Sequence, residues 1–153
     1  MSAALAMALL AARETVGVYG AWGAFRERDR CFAIAAPVIA GGRANWRPFA
    51  GVGMFPRLGQ PRTLFIRLSR ARDRSAPVTL SVGERRFRLV ANGTDAWAPD
   101  PQTERGAVAA MRSARSMSVD AVGEGGRPFS DVYRLDGAAT AIDAAAIACL
   151  AVR

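Results

Sequence analysis

The sequence predicts a mostly β fold: an antiparallel β-sandwich or a curled sheet, with two short helices. Three observations lead there. Apolar residues alternate with polar ones through the middle of the chain, glycines punctuate the sequence at short intervals, and only two stretches carry helical spacing. With 153 residues, 51% of them apolar and 22% charged, the chain has the composition of a packed protein. It suits one domain, over residues 16–153, that buries about two thirds of its unfolded surface.

Ala3 to Ala12 is a run of alanines, leucines and a methionine ahead of Arg13 and Glu14. It is too short to span a bilayer as a helix and has the length of a secretory h-region. Residues 1–12 therefore read as a signal-peptide-like segment whose charged n-region would lie upstream of Met1. An amphipathic N-terminal helix is the alternative.

Val16 to Phe25 reads as a strand interrupted at Gly20 or Gly23, and Cys31 to Ala36 as its hairpin partner across the charged turn Arg26 to Arg30. Pro37 to Pro48 is loop-like and carries Trp46, and Phe49 to Phe55 is a further apolar strand. The sharpest signal follows. Leu64, Ile66 and Leu68 alternate with Phe65 and Arg67; beyond a basic loop, Val78, Leu80 and Val82 alternate with Thr79 and Ser81. Gly83-Glu84 then makes a two-residue hairpin turn, setting Leu80 opposite Phe87, Val78 opposite Leu89, Ser81 opposite Arg86 and Thr79 opposite Arg88.

Asp100-Pro101 opens a helix with an N-cap and a proline at its first position. Met117, Val119 and Ala121 alternate again, Gly123 to Gly126 turns the chain, and a last strand runs around Phe129 to Leu135. Asp136 is placed to cap a closing helix on which Ala138, Ile142, Ala145 and Cys149 share a face.

Cys149 and Cys31 are the only cysteines. We expect them to form a disulfide joining the two ends of the domain, which agrees with a periplasmic or secreted location. Two separate buried thiols are the alternative.

These residues resemble the invasion-associated locus B family of exported bacterial proteins. The resemblance is carried by Trp22 ahead of Cys31, the run Pro77 to Val82, Arg86 to Leu89, Ala109-Ala110-Met111-Arg112, and Leu135-Asp136-Gly137-Ala138-Ala139 leading to Ala141. It extends over most of the chain from Val16. It implies a β-rich periplasmic or surface-exposed domain, with host-cell entry as the associated role and no catalytic residues. The chain departs from the family's pattern in lacking a further central cysteine pair.

Composition excludes several chemistries. The chain contains no histidine and no lysine, so Ser-His-Asp and Cys-His catalysis, His-containing zinc sites, a Walker A loop and Schiff-base chemistry are all absent. No cofactor and no metal is implied. The net charge of +8 comes entirely from arginine, which also accumulates in GC-rich genomes, so no specific nucleic-acid partner follows from it.

Arg67, Arg86 and Arg88 are expected on one exposed sheet face, a candidate platform for acidic polymers or anionic surfaces; a solvated charged face is the alternative. Trp46 is the candidate exposed aromatic, whereas Trp22 and Trp97 read as core. Asp95, Asp100, Asp120 and Asp131 lie near strand ends, but no spacing pairs them for carboxylate hydrolysis. The reading is a non-enzymatic, exported protein that binds an unidentified protein or envelope component. Acidic-polymer binding is the first alternative and a carboxylate-based hydrolase the second.

Overall fold

A computed structural model describes residues 13–150, without the side chains of residues 60 and 61. The leader-like segment 1–12 lies outside the described residues. The strands are β1 (Glu14–Tyr19), β2 (Trp22–Arg26), β3 (Cys31–Ala35), β4 (Phe49–Phe55), β5 (Gln60–Arg67), β6 (Val78–Val82), β7 (Arg85–Asn92), β8 (Asp95–Trp97), β9 (Ser116–Val122) and β10 (Pro128–Arg134). The helices are α1 (Pro101–Met111) and α2 (Ala138–Leu150).

All ten strands belong to one antiparallel sheet in the order β1-β2-β3-β4-β5-β8-β7-β6-β9-β10. Of the two predicted architectures the curled sheet is the one formed. It curls because every strand from β2 onward buries alternate side chains on the same side: Ala33 on β3, Val52 on β4, Ile66 on β5, Leu80 on β6 and Val119 on β9 all lie in one continuous core. After β3 the chain crosses to the far edge, where Val38 donates its N–H to the Val132 carbonyl (2.8 Å) and Ile39 bridges Val132. That partial bridge covers the β10 edge without closing a barrel.

The Gly83-Glu84 hairpin has the predicted register, with Val78 opposite Leu89, Leu80 opposite Phe87, and Ser81 opposite Arg86. Gly83 takes a φ of +58°, as the first central position of such a turn requires. The stretch expected as one interrupted strand is two strands, β1 and β2, folded back on each other at Gly20-Ala21.

α1 is capped as expected: Asp100, extended at φ −154°, accepts from the Thr103 N–H at 2.7 Å. α2 lies against β1 to β4 and buries Ala138, Ala141, Ile142, Ala145 and Cys149. The alanines let it approach the sheet closely, since they add no bulk between helix axis and strands. Asp136 departs from expectation. Its carboxylate pairs with Arg134 at 3.0 Å, while its carbonyl accepts from the Ala21 N–H at 3.0 Å. Trp22, wholly buried, adds a bond from Nε1 to the Arg134 carbonyl at 2.8 Å. The start of α2 is thus held to the β1–β2 turn mainly through backbone atoms.

Candidate arginine and aromatic groove on the outer sheet face

The side chains that alternate away from the core give the sheet its outer face, and over β2 to β5 that face is aromatic. Phe25 stands opposite Phe32, and Phe32 opposite Gly53; Ile34 stands opposite Gly51, Gly51 opposite Phe65, and Phe65 opposite Trp97. β4 carries Phe49, Gly51, Gly53 and Phe55 on this side, so two bare positions lie between two rings. The neighbours need that space: a β-carbon at Gly51 would lie 2.6 Å from Phe65 Cζ, and one at Gly53 would lie 3.0 Å from Phe55. The rings therefore lie down on the sheet. Phe25 stacks on Phe32 with centroids 5.6 Å apart, and Phe49 meets Phe65 edge-on at 5.7 Å.

Guanidinium groups stand over these rings. Arg13 lies 5.1 Å from the Phe32 centroid, Arg30 5.4 Å from the same ring, and Arg67 5.5 Å from Phe49. Together they border a groove of about 490 Å³. Arg13 and Arg30 share one carboxylate: Arg13 Nε reaches Glu27 Oε1 at 3.2 Å and Arg30 Nε reaches Oε2 at 2.8 Å. Burial works to raise the Glu27 carboxyl, but the hydrogen bonds from Arg30 and Arg13 outweigh it and hold the group below its ordinary range. At the other end Arg67 Nε pairs with Asp95 at 3.2 Å. Three cations thus face two carboxylates, and the excess positive charge sits at the Arg13–Arg30 end.

A second depression, of about 880 Å³, opens between β5 and α1 and shares Trp97 with the first. Arg62, Arg105 and Arg112 border it with Glu104 and Val108. Two of its charged groups, Arg112 and Glu104, hold the helices. Arg112 makes a two-pronged contact to Asp143 of α2 (2.7 and 3.0 Å), and Glu104 accepts from the Leu64 N–H at 3.0 Å. Partial burial raises the Glu104 carboxyl despite that bond.

Cys31 and Cys149 are joined by a disulfide across 118 positions of sequence, with Cα atoms 5.7 Å apart. Arg67, Arg86 and Arg88 all point outward but do not form one cluster. Arg67 is engaged by Asp95 and Phe49, and Asp95 stands opposite Asn92 of β7; Arg88 lies four positions further along that strand. Arg86 and Arg88 are exposed and flank Ser81 and Thr79. Beside them Asp120 accepts from Ser81, Ser118 and Ser130, a network of hydroxyls around one carboxylate.

Trp46, expected exposed, is half-buried and donates from Nε1 to the Leu68 carbonyl at 2.8 Å. Trp97, expected in the core, is 38% exposed. The reason is the brevity of β8: Ala96 takes its inward position, leaving Asp95 and Trp97 outside. Asp131 is wholly buried, accepting from the Gly41 N–H (2.9 Å), the Ser69 N–H (2.9 Å) and the Ser69 hydroxyl. That is an anchor for the loop after β3. Among the described residues no group of three or more carboxylates and cysteines is placed to hold a metal ion.

Sequence reasoning missed the groove residues Arg13, Arg30, Phe32, Phe49 and Phe65. The signal was present in Phe49-Ala50-Gly51-Val52-Gly53-Met54-Phe55, where Ala50, Val52 and Met54 mark the buried face and the phenylalanines and glycines the other.

No protein-family model matches the chain, and no curated protein matches it. Among solved structures it is similar to the crystal structure of invasion associated protein B from Bartonella henselae. The TM-score is 0.65 at 19% identity, over 90% of this chain and 98% of that one. At that identity the two share a fold.

Proposed function

We propose that the chain is an exported, disulfide-closed protein that works at the bacterial envelope by binding rather than by catalysis, with the outer sheet face as its contact surface. The observation that carries this reading is the chemistry of that face. Its rings and guanidinium groups offer contact area and charge, the groove's carboxylates are engaged by arginine and Asp120 by serine hydroxyls, and the buried Asp131 is committed to a loop. Export is supported by the disulfide, which persists in oxidising compartments and is rare in the cytosol. Among the described residues no helix is long and apolar enough to cross a membrane. We read residues 1–12 as the leader and residues 16–153 as one domain. The name of the structural relative, and the family that the sequence resembles, make an envelope or host-cell component the first partner to seek.

The test is intact mass measurement on protein recovered by osmotic shock from cells of its native type. The expected species has lost its first 11 or 12 residues and two further hydrogens. Intact Met1 and free thiols in the cytosolic fraction would overturn the reading.

A second reading, binding of acidic polymers, draws on Arg86 and Arg88, which are exposed and have no carboxylate partner among the described residues. Retention on heparin beyond about 0.15 M salt supports it, and earlier elution removes it.

A further inference from the structure

We propose that the arginine and aromatic groove takes a single-chain anionic amphiphile of the medium-chain fatty-acid class, its carboxylate at Arg13 and Arg30 and its alkyl body running over the rings toward Trp97. The proposal rests on the reading of the outer face as a contact surface, and it names the ligand of that face.

Charge and free donors set the head-group end. Arg13 and Arg30 each contact Glu27 through Nε, so a single carboxylate serves two guanidiniums. Their terminal nitrogens have no acceptor among the described residues, and both groups are held over Phe32. A second carboxylate arriving there would neutralise the excess charge and receive charge-assisted hydrogen bonds from donors already in place. The opposite end, where Arg67 is matched by Asp95, is neutral, so the groove has a direction.

The lining sets the chemistry of the body. Apart from the arginines and Asp95, the groove is bordered by Phe, Ile, Trp, Gly and Ala, with no serine, threonine, tyrosine, asparagine or glutamine among its described lining. A sugar polymer needs such groups to satisfy its hydroxyls, and an alkyl chain does not. Phe32 and Trp97 stand three strand spacings apart and two residues out of line, about 16 Å in all, which suits an extended chain of about twelve carbons. Shape argues against a bilayer as the occupant. Phe32 is 4% exposed and the other rings of β4 and β5 are half-buried, so they form the floor of a concavity instead of projecting into a membrane interface. The volume of about 490 Å³ fits a small-molecule site.

The experiment is calorimetric titration of the oxidised chain from Ala12 onward, the form expected after loss of the leader, with laurate below its micelle concentration, alongside dodecanol and vesicles containing anionic phospholipid. The expected result is saturable laurate binding at one site, at least tenfold tighter than dodecanol. Arg13→Gln with Arg30→Gln should weaken laurate about tenfold while circular dichroism and the disulfide are unchanged. Laurate should also change the tryptophan emission of the parent chain and lose that effect in Trp97→Phe. Laurate binding that ignores the paired arginine variant overturns the site. Absence of laurate binding, or binding to vesicles alone, overturns the ligand. Neither result touches export, because recovery from the periplasm is read separately; a cytosolic, reduced protein would sink the contact-surface reading whatever laurate did.

Discussion

Gly137 sits against the carbonyl of Tyr19: a β-carbon built on Gly137 would fall 1.8 Å from that oxygen, at a backbone φ of +86°. No side chain fits there without moving either α2 or the β1–β2 turn. Gly137→Ala should therefore cost about 3 kcal/mol, combining left-handed strain with the displaced contact. Gly59 is the control, because its φ is +65° but no atom lies within 4 Å of the added carbon. Gly59→Ala should cost only about 1 kcal/mol. Urea unfolding of the two variants decides the matter, and equal midpoints would contradict it.

The disulfide secures the other end of α2. Closing a loop of 118 residues contributes roughly 4 to 5 kcal/mol in the chain-entropy account, and removal of native disulfides from secreted domains costs about 2 to 5 kcal/mol. The double variant Cys31→Ala, Cys149→Ala should lose stability in that range and keep its strand content by circular dichroism. An unfolding midpoint that is the same with and without reductant in the parent chain would remove the latch role.

The Asp131 carboxylate gathers Ser69, two residues beyond β5, and Gly41 from the loop after β3. Asp131→Ala leaves the buried Ser69 N–H and hydroxyl without their acceptor and releases the Gly41 N–H to water, an expected loss of about 2 to 4 kcal/mol. The loop should come away first. Limited trypsin digestion should then cut at exposed Arg43 well before the parent chain is cut there, and an unchanged digestion pattern would show that other contacts hold the loop.

The parts of the fold legible in the sequence were those fixed by local chemistry. Gly83 admits the hairpin turn, and the alternation on both sides of it leaves one register that buries Leu80 and Phe87 together. Asp100 with Pro101 fixes a helix start in the same local way. What was not legible depended on contacts between distant segments. β8 has three residues, too few for alternation to set its phase, so Trp97 could not be placed until β5 and β7 were seen on either side of it. Asp131 looked like other strand-end carboxylates because its partners lie 62 and 90 positions away. The groove needed both kinds of information: the glycines of β4 are visible in sequence, but Arg13 and Arg30 meet over Phe32 only after β2 and β3 have paired.

The acid limb of the stability curve follows from the same arginine contacts. Glu27 is held below its ordinary value of 4.5 by Arg30 and Arg13, which overcome the opposing effect of burial. Asp143 is held below 3.8, chiefly by its hydrogen bonds from Arg112. A carboxyl lowered in the folded state contributes stability that is complete above its unfolded value and is lost as pH falls through its folded value. Glu104 has the opposite sign: burial raises it above 4.5, so its contribution is complete at low pH and is lost as pH rises through its folded value. The urea midpoint should therefore hold steady from about pH 8 to pH 6 and fall once pH drops below about 4. Glu27→Gln should lower the midpoint at pH 7 and make the acid limb shallower, since the charge that Arg13 and Arg30 share is gone at every pH. Glu104→Gln should leave the pH 7 midpoint unchanged or raise it, because the amide oxygen still accepts from Leu64 and no buried charge remains. A Glu27→Gln chain with the parent's acid limb would mean that the shared carboxylate is not what couples the groove to stability.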